Sequence, residues 1–205
     1  MASKLVCKRF RGFLPVVIDV ETAGFNSETD ALLEIAAIFL DYSPESGWRT
    51  NHSVAHHVVP FLGSNIEQSA LDFNNIDPFH PFRKAVEEKV AITNIFQIVH
   101  DELEKFNCTR AILVGHNPTF DLAFVKAASS RVRYKKFPFH HFSTFDTAAL
   151  SGVAFGQTVL ARAVVSAGHQ WDQTEAHSAI YDAQKTADLF CTIVNKWDHF
   201  NSDVG

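Results

Sequence analysis

The sequence predicts an α/β fold, with a mixed five-stranded sheet and helices on both of its faces, forming one domain over residues 1–205. Three observations carry this. The first part of the chain holds three short apolar or β-branched runs joined by turns. The second part alternates helical and strand-like patterns. At 205 residues and 46% hydrophobic content, the chain is long and apolar enough for one buried core.

The elements follow in order. Val16 to Val20 is a short apolar run with an acidic end and reads as a buried strand. Glu34 to Leu40 is similar, and His52 to Val59 is rich in β-branched residues. Thr22-Ala23-Gly24 and Ser43 to Gly47 connect them, and connections this short favour antiparallel neighbours. Val86 to Phe106 then places apolar residues at Val86, Val90, Phe96, Val99, Leu103 and Phe106, a helical spacing. Ala111 to Val114 reads as a strand. Phe120 to Val132 reads as a helix with Leu122, Phe124 and Val125 inward, and Phe142 to Phe145 as the fifth strand. Thr158 to Ala167 is a short helix ended by Gly168. Ser178 to Trp197 is the last helix, with its stripe at Ile180, Ala183, Ala187, Phe190, Val194 and Trp197.

Bulk chemistry narrows the function. Cys7, Cys108 and Cys191 are far apart and odd in number, which argues against a disulfide framework or zinc knuckle and for a reducing compartment. No apolar run follows the basic N-terminus as a signal peptide requires, and none approaches a membrane span. The expectation is a cytoplasmic, soluble protein. The net charge of −5 argues mildly against a nucleic-acid partner. Its distribution argues the other way, since Lys4, Lys8, Arg9 and Arg11 form one basic cluster and Arg131, Arg133, Lys135 and Lys136 another. Such clusters read either as solvated surface or as a patch that tracks phosphates.

The acids hold the chemistry. Asp19 and Glu21 end the first strand two residues apart, so both point to one face. Alone, the pair reads sooner as a polar strand end facing solvent. Asp121 follows His116-Asn117-Pro118-Thr119-Phe120, just beyond the Ala111–Val114 strand, where it caps a helix or reaches a crevice at the strand ends. His177 and Asp182 are five residues apart, about 140° on an ideal helix, so they converge only if His177 sits in the loop before the helix and Asp182 in its second turn. One histidine among 11 is by itself a weak signal. Together, the four carboxylates could supply oxygen ligands for two Mg²⁺ ions, which orient a phosphodiester and stabilise its leaving oxygen, with His177 as general base for the attacking water.

Asp19-Val20-Glu21-Thr22, His116-Asn117 followed by Phe120-Asp121, and His177-Ser178-Ala179 followed by Asp182 resemble, in order and context, the DEDDh family of 3′-to-5′ exonucleases. Similarity to one branch of that family extends through Arg9 to Phe13, Val16 to Phe25, Thr29 to Ala37, Ala70 to Pro78, Phe145 to Leu150, Gly156 to Leu160 and Ala176 to Asp182. The resemblance implies a ribonuclease-H-like fold. It implies Asp19, Glu21, Asp121 and Asp182 as metal ligands for two Mg²⁺ ions, with Mn²⁺ as a substitute, and His177 as the base. It implies Phe25, Phe73, Phe120 and Phe142 as rings that stack on substrate bases. It also implies a homodimer in which Arg9, Arg11, Arg110 and Lys135 guide a strand into the partner's site. The implied substrates are RNA with a single-stranded 3′ end, such as tRNA and other stable RNA precursors, and single-stranded DNA. Two positions depart from the family pattern. Ser69 stands where a glutamate that reads the terminal base can occur, and Glu104 where a basic residue can occur. The rival readings are a DNA-proofreading or short-oligonucleotide exonuclease, an inert nucleic-acid-binding module and a metal-dependent phosphatase.

Overall fold

The computed structural model describes residues 2–202. The first strand, β1 (Phe13–Thr22), lies at the centre of the sheet because apolar side chains line both of its faces until Asp19. It pairs antiparallel with β2 (Leu32–Ser43), which pairs antiparallel with β3 (Gly47–Val59). On its other side β1 runs parallel to β5 (Arg110–Gly115), and β5 parallel to β6 (Phe139–Asp146). Among the described residues the sheet has six strands, one more than the sequence pattern suggests, and with β4 (Val86–Glu87) at one edge their order is β4-β3-β2-β1-β5-β6. The extra strand is β4, two residues that pair parallel with Val58 and Val59. Val86 therefore belongs to the sheet edge, and the helix expected from Val86 starts at Glu88.

Helix α3 (Glu88–Phe106) buries Ala91, Ile92, Ile95, Phe96, Val99, Leu103 and Phe106 against the sheet. Val90, placed in the stripe by its spacing, is half exposed because the buried face follows Ala91, Ile92, Ile95, Phe96 and Val99 instead. Helix α4 (Thr119–Arg131) buries Leu122, Phe124 and Val125 as expected. Helix α7 (Ala179–Ser202) packs along β1, β2 and β3, burying Ala183, Ala187, Phe190 and Val194, while Ile180 and Trp197 at the ends of the expected stripe stay exposed. Helices α5 (Thr147–Phe155) and α6 (Leu160–Ser166) pack on α7. Two further short helices carry no clear sequence pattern, α1 (Ala2–Arg9) and α2 (Gln68–Asn74). Among the described residues no single helix is long and apolar enough to cross a membrane. All three thiols are free.

This topology creates the site. The strand order reverses direction of growth at β1, and ligand crevices in open α/β sheets lie beyond strand C-termini at such a switch. Asp19 and Glu21 stand at that end of β1, and α4 starts just past the same end of β5.

Candidate active site

Asp19 and Glu21 alternate with buried Ile18 and Val20, so both carboxylates leave the same face of β1. Across the sheet Glu21 is in register with Glu34 of β2. Asp121 sits in the first turn of α4 and is buried. Its Oδ1 accepts a hydrogen bond of 3.1 Å from the Val20 N–H, which ties α4 to the acidic end of β1. Gly115 makes this approach possible, since a Cβ there would lie 3.2 Å from Asp121 Oδ2 and 3.1 Å from the Pro118 ring.

His177 and Asp182 come together in the way the five-residue spacing requires. His177 adopts φ +67° on the turn before α7, a conformation uncommon for a non-glycine residue. Its N–H donates to Asp182 Oδ2 at 3.3 Å. Asp182 is in the first turn of α7, one turn earlier than expected, because the helix starts at Ala179. Ligand-capable atoms of Glu21, His177 and Asp182 lie within 4.8 Å of one another.

The electrostatics of the cluster are unfavourable without a counter-charge. Burial, then the neighbouring Asp121, Glu21, Asp182 and Glu34 carboxylates, push Asp19 well above the usual carboxylate range. Burial and the charges of Asp182, Glu34 and Asp121 push Glu21 up to about 9. Burial raises Asp121 to about 7, against hydrogen bonds from its own N–H and that of Val20. Asp182 is raised by burial, partly opposed by the hydrogen bond and charge of His177. Asp182 Oδ1 is buried and has no hydrogen-bond partner among the described residues. An orphaned carboxylate oxygen among three other acids is the surrounding a hard divalent cation satisfies, and the donor set, all carboxylates plus one imidazole, suits such an ion.

A fifth carboxylate escapes a motif-based reading. Glu34 accepts a hydrogen bond from the Ala179 N–H at 3.3 Å, and its other oxygen lies 2.8 Å from His57 Nδ1. It thereby fixes the start of the helix that carries Asp182. The available signal was one charge at the start of the otherwise apolar run Glu34 to Leu40.

The aromatic residues divide. Phe25 lies on the loop between β1 and β2, and its ring meets Phe120 edge-on at 6.2 Å. Phe73, on α2, packs 4.4 Å from the His177 ring. Phe25 and Phe73 are 84% and 68% exposed, so their faces are open to a ligand. Phe142 lies on β6, where it meets His140 at 4.6 Å, and none of the described ring contacts joins it to the other three. The Phe25 loop is held by buried Asp30, which accepts hydrogen bonds from the Asn26 N–H at 2.9 Å and the Thr29 hydroxyl at 2.8 Å. Arg131 braces the same loop by donating to the Ser27 carbonyl while paired with Glu88. Of the second basic cluster, then, Arg131 is structural. Ser69 is exposed on α2, the helix of Phe73, and Glu104 is exposed near the end of α3.

The four basic residues gather at the opposite end of the sheet. Arg9 ends α1, and Arg11 precedes β1 with φ +55°. Arg110 opens β5 in register with Phe13, and Lys135 lies just ahead of β6. All four are exposed, and Arg9 pairs with Asp198 at 2.8 Å. The side chain of Lys4, in the first basic cluster, lies outside the described residues. Six residues of strand separate Phe13, two residues past Arg11, from Asp19, or about 20 Å at ~3.3 Å per residue.

Known proteins resemble this chain in sequence and in fold. A family model described as Exonuclease matches residues 16–190. Ribonuclease T of Vibrio parahaemolyticus is 56% identical over 191 residues, covering 93% of this chain and 89% of that one. Ribonuclease T of an Enterobacter species is 57% identical over 193 residues, covering 94% and 86%. The zinc-bound crystal structure of the Escherichia coli ExoI–ssDNA complex superposes with a TM-score of 0.69 at 16% identity, covering 93% of this chain and 43% of that longer one. Exonuclease I of Methylocaldum szegediense gives 0.67 at 18% identity, covering 90% and 40%. The chain belongs to the ribonuclease T family of exonucleases.

Proposed function

We propose that this protein trims single-stranded 3′ ends of tRNA and other stable RNA precursors, releasing nucleoside 5′-monophosphates, and that it also acts on single-stranded DNA ends. The observation that carries the metal-dependent chemistry is the buried, unpartnered Asp182 Oδ1 within a cluster of carboxylates pushed upward in pKa. Asp19, Glu21, Asp121 and Asp182 would hold two Mg²⁺ ions, or Mn²⁺ in their place. Bound there, the metal supplies Lewis-acid activation of water and stabilisation of the leaving 3′ oxygen.

The chain's own groups do the rest. His177, on its turn beside Asp182, takes the proton of the attacking water as general base. Phe25 and Phe120 form one aromatic corner and Phe73 another beside His177, and rings of this kind stack on any base. A paired base cannot splay onto them, so trimming stops near a duplex. Phe142, exposed on β6, would add a further ring.

The basic residues lie too far from their own acids to touch the same nucleotide. This supports a homodimer in which Arg9, Arg11, Arg110 and Lys135 of one subunit guide the strand into its partner's site. The protein would work in the cytoplasm. Ser69 offers no carboxylate to read the terminal base, so discrimination among terminal bases is expected to be weak. Asp182→Ala tests the metal assignment: Mg²⁺-dependent nuclease activity should be lost, and unchanged activity would refute it.

A further inference from the structure

Between α2 and β4 the chain runs Asn75-Ile76-Asp77-Pro78-Phe79-His80-Pro81-Phe82-Arg83-Lys84-Ala85. Phe79 and Phe82 are 74% and 82% exposed, and Phe73 just before them is 68% exposed. Single exposed apolar side chains are ordinary, but a run of exposed rings marks a surface that meets something. These rings are held outward by a built loop. Asp77 Oδ1 accepts from the Phe79 N–H at 3.0 Å, and the Asp77 carbonyl accepts from the His80 N–H at 3.2 Å. The Phe82 N–H donates to His80 Nδ1 at 3.3 Å, and the Arg83 N–H to the His80 carbonyl at 3.1 Å. Pro78 is buried beneath.

Both ends of the loop are anchored at the active site. At one end, Phe73 touches His177, and the Asn74 amide donates to the Thr22 carbonyl at 3.1 Å, one residue past Glu21. At the other end, Arg83 donates to the Val58 and Leu33 carbonyls, and Leu33 precedes Glu34, the register partner of Glu21. The loop that carries both rings therefore leaves and rejoins the fold beside the active site, with Phe73 just before it. Charge at the loop is mixed, with exposed Lys84 set against exposed Asp72, Asp77 and Glu87, so the rings rather than net charge carry this surface.

We propose that Phe79 and Phe82 extend the base-stacking surface, binding nucleobases of the single strand beyond those held at Phe73. This rests on the exonuclease reading above. Stacking needs only a ring face and no sequence, so the extension would raise affinity for long unpaired tails without adding base preference.

The test compares wild type, Phe79→Ala/Phe82→Ala and Phe79→Trp/Phe82→Trp on labelled oligouridylates in Mg²⁺. For a strand of about 12 nucleotides, the double alanine variant should raise KM about tenfold, the loss expected of one base–aromatic stack or slightly more. The penalty should shrink as the strand is shortened to about three nucleotides, too short to reach the loop. The tryptophan variant should restore KM. The slope of log KM against log salt should not change, because no phosphate contact is removed. Both rings are exposed, so the melting temperature should hold and serves as the folding control. An unchanged KM on the long strand, or a penalty equal at all lengths, would overturn the proposal. So would a fall in sedimentation mass with KM unchanged, which would make the loop a contact between copies. If wild type digests no single strand, the exonuclease reading itself fails.

Discussion

Replacing Glu21 by glutamine should stabilise the metal-free protein while abolishing its activity. Glu21 titrates near 4.5 in an unstructured chain and is pushed up to about 9 here, first by burial and then by Asp182, Glu34 and Asp121. The sign follows from linkage. Between those values the folded state holds a proton that the unfolded state has released, so stability falls as pH rises across the window. At pH 7 the difference from 4.5 costs about 3 kcal/mol at ~1.4 kcal/mol per pH unit. At pH 5 it costs less than about 1 kcal/mol. Glutamine does not titrate and removes this cost. For a chain of this length ~1 kcal/mol moves Tm by about 2–4 °C, so Glu21→Gln should melt about 6–12 °C above wild type at pH 7 in EDTA. At pH 5 the gap should be about 2 °C. Mg²⁺ should then raise the wild-type Tm and close most of the gap, since an ion that binds only the folded state stabilises it. Thermal denaturation followed by circular dichroism at both pH values reads all of this. No gain at pH 7, or the same gain at both pH values, would refute the idea that the acids are held together against burial and their own repulsion.

Two more predictions concern the proton and the patch. His177→Asn should lower kcat by about 10²–10⁴-fold and flatten the acid limb of the pH–rate profile, while thermal stabilisation by Mg²⁺ persists. Retained kcat would remove His177 from the role of base. Arg9→Ala with Arg11→Ala should raise KM on long strands and reduce the log–log salt slope by about 1.4, the loss of two single-strand phosphate contacts. Mixing this variant with Asp121→Ala should restore activity if the patch serves the partner's site, because one subunit then keeps its acids and the other its arginines. Absence of rescue in a verified mixed dimer would place the patch in cis or make it idle.

Much of this was legible because the site is built from local patterns. An acidic end on an apolar strand offered Asp19 and Glu21, their combination with the later motifs made them a site, and α/β topology carries Asp121 to them. The five-residue gap between His177 and Asp182 demanded a turn, and the left-handed backbone at His177 supplies it. What escaped was set by tertiary contact. Val86 follows a helical spacing yet joins β4, because its partner Val58 lies far away in sequence. Glu34 looked like one charge in a buried strand, and only the register with Glu21 and the bond from Ala179 give it a role. Arg131 sat in a basic run, yet its bonds to Glu88 and Ser27 turn it into a brace for the Phe25 loop. Helix α2 carries Phe73 to His177 with only seven residues and no amphipathic pattern to betray it.

The most direct test is gel-resolved digestion of an RNA duplex bearing a single-stranded 3′ overhang and a 5′ label, in Mg²⁺ and then in EDTA. The account predicts a ladder that shortens one nucleotide at a time from the 3′ end, halts near the duplex and vanishes with EDTA. Shortening in EDTA, internal cleavage, or digestion that passes through the duplex as fast as through the overhang would contradict it.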